Sequence, residues 1–105
     1  MIKLVLIAAI ATMSQNTYSQ VSTGLLSCNG SGFPFTVQFF GKTATATFKG
    51  YAHTALYART FIGKNGDTWF VYRSQTIDIS VVPNDKYVAL YAPDGSTILA
   101  GAICN

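Results

Sequence analysis

The sequence predicts an all-β fold, a small antiparallel eight-stranded up-and-down barrel closed by one disulfide. Three observations lead there. Apolar and polar residues alternate with period two over most of the chain from Leu25 onward. Turn-forming residues recur about every ten positions, as in an all-β barrel or sandwich. Two cysteines, Cys28 and Cys104, stand near the two ends of the alternating region. The 105 residues suffice for one domain, and a composition that is 50% hydrophobic and 10% charged excludes a disordered chain.

The elements follow in order. Leu25 to Cys28 is a short first strand that ends at Asn29-Gly30-Ser31-Gly32. Phe33, Phe35, Val37 and Phe39 then fall on one face, with Thr36 and Gln38 on the other. After Gly41-Lys42, Thr43, Thr45 and Thr47 alternate with Ala44, Ala46 and Phe48, a pleated strand with one polar face. Gly50 to His53 reads as a turn into a strand from Thr54 to Phe61. Gly63-Lys64-Asn65-Gly66 is the strongest turn signal, because Asn-Gly suits the positive φ of hairpin turns. Thr68 to Arg73 follows, and Ile77, Ile79 and Val81 alternate with Asp78 and Ser80. Pro83-Asn84-Asp85 and Pro93-Asp94-Gly95 bracket the strand Lys86 to Ala92, before the last strand, Thr97 to Cys104.

Short connections pair neighbouring strands antiparallel in sequence order. Such a meander leaves two open edges, and a Cys28–Cys104 bond joins those same edges, which favours a closed barrel over a sandwich. Eight strands enclose an interior that side chains fill, so no large ligand cavity is expected. An even pair of cysteines in a small exported domain reads as one disulfide; the alternative is two buried free thiols. The loop so closed spans roughly 77 residues, for which the chain-entropy estimate is about 4.5 kcal/mol.

Lys3, the apolar run Leu4 to Ala11 and the polar stretch Ser14 to Gln20 have the layout of a secretory signal peptide. It is assigned to residues 1–19, with a single barrel domain over 20–105. Thr17 and Ser19 fit the positions before the cut, as do Thr12 and Ser14. The run is far short of the ~20 residues that cross a bilayer, so no transmembrane anchor is expected. The mature product is expected to be exported, periplasmic or secreted. A buried N-terminal helix is the alternative.

The composition also narrows the chemistry. No glutamate occurs, and the carboxylate side chains are Asp67, Asp78, Asp85 and Asp94. His53 is the single histidine and falls in a predicted turn. Multi-ligand metal sites, Ser/His/Asp ordering, phosphate-binding glycine loops and calcium loops do not occur. The expectation is a protein that is not an enzyme and takes no cofactor or metal, an aspartate-pair glycosidase being the remaining enzymatic alternative. Without Lys3, six basic side chains face four aspartates, a net charge of about +2 that forms no basic stripe of the nucleic-acid-binding kind. Asn29-Gly30-Ser31 matches a glycosylation sequon, which a turn explains equally well.

Aromatic residues make up 13% of the chain. Trp69, Phe70 and Tyr72 are so close in sequence that both faces of their strand carry rings, and some must point outward. This marks a binding surface around Gly63 to Tyr72. Tyr87 and Tyr91 share a face and are the rival platform for a glycan.

The layout resembles the exported bacterial inhibitors of c-type lysozyme, in their periplasmic and membrane-bound forms. The resemblance covers Leu26 to Cys104. It lies in Leu26-Ser27-Cys28-Asn29-Gly30, the Phe-x-Val-x-Phe run from Phe35 to Phe39, the alanine-rich third segment and the terminal Cys104. It implies an eight-stranded barrel and inhibition by a Ser-Gly-x-x-Tyr loop that enters the lysozyme cleft. Here that loop reads Asn65-Gly66-Asp67-Thr68-Trp69, with Asn65 for the serine and Trp69 for the tyrosine, and Arg73-Ser74 stands where the family has Lys-Gly. The expected function is that of an exported binding protein that plugs a partner's cleft with an aromatic hairpin. Its partner-binding residues would be Asn65, Gly66, Asp67, Trp69, Tyr72 and Arg73, and its partner a protein such as c-type lysozyme or a cell-envelope glycan.

Overall fold

The structure, a computed structural model, describes residues 24–105. The signal peptide assigned to residues 1–19 and the first residues of the expected domain lie outside them. The strands are β1 (Gly24–Cys28), β2 (Phe35–Phe40), β3 (Thr43–Phe48), β4 (Tyr51–Ile62), β5 (Thr68–Arg73), β6 (Asp78–Val82), β7 (Tyr87–Tyr91) and β8 (Ile98–Ile103). Each pairs antiparallel with the next, in the order β1 to β8. The sheet curls into a nearly closed barrel, as the alternation and short turns predict.

Closure is sparse. Asn105 and Ser27 exchange main-chain hydrogen bonds of 2.9 and 3.3 Å, and Ser31 and Gly101 exchange bonds of 3.1 and 3.2 Å. Between them the Cys28–Cys104 disulfide bridges the seam, and both of its cysteines are buried. The two chain ends come so close here that a Cβ on Gly30 would stand 2.5 Å from the Gly101 carbonyl oxygen and 2.7 Å from Ala102 Cβ.

One side of each strand fills the barrel. Phe35, Val37 and Phe39 of β2, Phe70 and Tyr72 of β5, and Ile79 and Val81 of β6 meet small residues, Ala44 and Ala46 of β3 and Ala100 and Ala102 of β8. Large and small side chains thus share a tapering interior. Tyr72 packs its ring 5.6 Å from Phe39 and 5.9 Å from Tyr57.

One boundary and one phase differ from the sequence reading. The third turn is Lys49-Gly50, not Gly50 to His53: both residues take positive φ (52° and 84°), which makes a two-residue hairpin. Tyr51, Ala52 and His53 therefore already pair with Phe48, Thr47 and Ala46, and His53 is a strand residue. Its ring stacks 4.8 Å from Phe48, and its Nδ1 lies 3.2 Å from Thr76 Oγ1. Further along β4 the register slips between Tyr57 and Arg59, leaving Ala58 as an extra residue. That bulge reverses the alternation. Tyr57 lies opposite the interior Tyr72, whereas Arg59 and Phe61 lie opposite Val71 and Trp69, on the outside.

Candidate functional site

Two consequences of β4 make the site. The strand is 12 residues long and pairs with β3 only as far as Leu56. Its last residues, with the start of β5, form a two-stranded arm that continues past the end of β3. Ile62 is 65% exposed there, and Lys64, Asn65 and Gly66 are exposed at the tip. Gly63 N–H donates to the Asp67 carbonyl (2.8 Å) and Gly66 N–H to the Gly63 carbonyl (3.0 Å), which ties the turn.

The second consequence is a surface cleft at the foot of the arm. Across the outer face of the sheet, Val71 lies opposite Ser80, Ser80 opposite Ala89, and Ala89 opposite Gly101. These four residues are buried although they point away from the barrel interior. They are small, and larger neighbours on both sides rise over them. One wall is an aromatic row: Phe61 stacks parallel to Trp69 at 6.0 Å, and Tyr87 meets Trp69 edge-on at 5.9 Å. The other wall is Arg73, Asp78 and Tyr91, paired in that order across β5, β6 and β7. Tyr87 stands outside the cleft lining, with its hydroxyl over Gly101. The cleft has a volume of about 320 Å³; Val71 and Ser80 are its floor, and Arg59, Gly63, Lys64 and Gly95 complete its lining.

Its electrostatics are one-sided. Arg59 lays its guanidinium 4.9 Å from the Phe61 ring centre. Arg73 donates from Nε to Asp78 Oδ2 at 3.1 Å, with its own side chain 54% exposed and that of Asp78 4% exposed. The buried carboxylate is therefore held by its arginine, while the rest of that guanidinium faces outward. Three cations meet one carboxylate.

Of the residues predicted from sequence, Asn65, Gly66 and Asp67 lie in the tip turn, and Trp69 and Arg73 line the cleft. Tyr72 does not join them. It is 1% exposed, and burial pushes its phenol up to about 12, with Tyr57 adding to the shift. The period-two pleat explains this, since Trp69, Val71 and Arg73 face out and Phe70 and Tyr72 face in. Sequence reasoning missed Arg59, Phe61, Asp78 and Ser80. Asp78 and Ser80 could have been found by phase, as they alternate with the core residues Ile77, Ile79 and Val81. For Arg59 and Phe61 the bulge at Ala58 hides the signal.

Among the described residues, no group of three or more His, Cys, Asp or Glu side chains is placed to hold a metal ion. The fold and site define a small, disulfide-bridged β-barrel with an external aromatic and cationic cleft. No protein-family model, no curated protein and no solved structure matches the chain.

Proposed function

We propose that the chain is an exported, non-enzymatic binding protein that engages its partner through the β4–β5 arm. The carrying observation is the arm itself, which runs past the end of β3 with Ile62 and the tip turn exposed. Ordered apolar side chains on a two-stranded projection suit insertion into a partner's cleft. Export accords with a disulfide in so small a domain. The resemblance nominates c-type lysozyme, with Trp69 at the sugar-binding cleft and Asp67 answering the partner's positive charges. The test is titration of the oxidised mature domain into a lysozyme cell-wall lysis assay. Stoichiometric inhibition is expected, weakened at least about tenfold by Trp69→Ala, as for an interface anchor. No inhibition at micromolar excess would reject lysozyme as the target, and full potency of Trp69→Ala would reject Trp69 as an anchor.

A second reading, a glycan-binding module, is favoured by one specific observation. The cleft at the foot of the arm is concave, rimmed by Trp69 and Tyr91, and of small-ligand size.

A further inference from the structure

We infer that this cleft binds an anionic saccharide, gripping its carboxylate or sulfate groups with Arg59, Lys64 and Arg73. The inference rests on the glycan-binding reading and names its ligand class. It follows from a donor and acceptor inventory. Guanidinium and ammonium groups only donate, and Trp69 Nε1–H adds another donor without an acceptor. The one lining carboxylate, Asp78, is buried and already accepts from Arg73 Nε. The Trp69 indole, the Ser80 hydroxyl on the floor and the Tyr91 phenol make no hydrogen bond to other described residues. The two hydroxyls accept as well as donate, but donors outnumber acceptors and the charge in excess is positive, so the complement is rich in acceptors and negatively charged.

A saccharide fits better than a peptide because of the floor. Val71 and Ser80 sit in strands paired on both sides, so the sheet offers no open main-chain edge there. A peptide would bury its own amides against this face without partners, whereas recognition of extended peptides normally uses such an edge. Ring oxygens and carboxylates accept from the side-chain donors of this cleft, and sugar hydroxyls find acceptors in Ser80 Oγ, the Tyr91 phenol oxygen and solvent.

The chain provides its own reporter, because Trp69 is its single tryptophan. The oxidised domain is titrated with a galacturonic acid hexamer, a heparin-derived hexasaccharide, neutral cellohexaose and poly-glutamate, following Trp69 fluorescence and heat of binding. Binding of either acidic glycan, weakened by salt and by about tenfold in Arg59→Gln and in Lys64→Gln, is expected. The two acidic probes tell carboxylate from sulfate recognition. Lys49→Asn, in the β3–β4 turn and outside the cleft lining, is expected to bind unchanged. Equal affinity for cellohexaose would overturn the anionic assignment and leave the glycan reading standing. Tighter binding of poly-glutamate, or equal weakening by Lys49→Asn, would overturn the inference in favour of a peptide or of unspecific charge. No binding by any glycan would overturn both it and the glycan reading.

Discussion

The disulfide is the place where one change should alter the molecule most. The seam between β1 and β8 is held by four main-chain hydrogen bonds and the Cys28–Cys104 bridge, whereas every other neighbouring strand pair is laddered over at least four residue pairs. With a sequence separation of 76, the cross-link removes chain entropy from the unfolded state worth about 4.5 kcal/mol at 25 °C. A domain of this length has a total stability of about 4–12 kcal/mol. Cys28→Ala with Cys104→Ala should therefore lose a third of the stability or more, and lower the melting temperature by on the order of 20 °C. Urea unfolding followed by circular dichroism measures this. The slope against urea should also rise, because a chain without the cross-link exposes more surface on unfolding. Reduced wild-type protein keeps both sulfur atoms in place and separates loss of the cross-link from the cavities that alanine leaves. A loss below about 1 kcal/mol with an unchanged slope would refute the entropic reasoning.

Two further outcomes test the interior and the seam. Gly30→Ala puts a methyl group where the Gly101 carbonyl oxygen is 2.5 Å away, and should cost about 1–3 kcal/mol with faster amide exchange at Ser31 and Gly101; an unchanged midpoint would mean that the seam does not close in solution. Tyr72, whose phenol is pushed from 10.0 up to about 12, keeps its proton more tightly in the folded state, so its contribution is complete below pH 10 and is lost as pH rises through 12. Relative to Tyr72→Phe, the wild type should lose on the order of 2–3 kcal/mol across that window, and parallel stability curves for the two proteins would contradict the buried placement.

The barrel was legible because every strand states its phase. Phe35, Val37 and Phe39 against Thr36 and Gln38, or Ile79 and Val81 against Asp78 and Ser80, allow one inward face each, and the turns between them are too short for any pairing but that of neighbours. The cysteines then closed the argument. The site was only half legible, for a reason that lies in β4. Alternation along that strand puts Arg59 and Phe61 on the face of Ala55 and Tyr57, inside the barrel, and the inserted Ala58 turns them out. A bulge leaves no mark in composition, since alanine is as ordinary at the extra position as in the ladder. Tyr72 failed in the opposite way: its strand obeys the pleat, but an aromatic cluster in sequence was read as a cluster in space.

The two halves of the outer surface differ in what they bury. On β2, β3 and β4 the outward side chains include Thr36, Thr45, Thr47 and Thr54, with Thr45 and Thr54 hydrogen-bonded across the ladder at 2.9 Å. That half is not purely polar, since Phe40 (73%) and Leu56 (63%) are exposed on the same strands. On β5, β6 and β7 the exterior instead buries Val71, Ser80 and Ala89, and with them the carboxylate of Asp78. Desolvating that carboxylate opposes folding unless Arg73 stays bonded to it, and neither group contributes to the interior. At the border of the two halves, Phe61 of β4 and Trp69 of β5 lie in parallel contact outside the core. A buried carboxylate and buried small residues on an outer face are local departures that the proposed ligand-binding role of the cleft would explain. On the proposed reading, the bulge at Ala58, the long β4 and the small residues of the floor act together: the arm reaches the partner, and the cleft at its foot presents Arg59, Lys64 and Arg73 to the ligand.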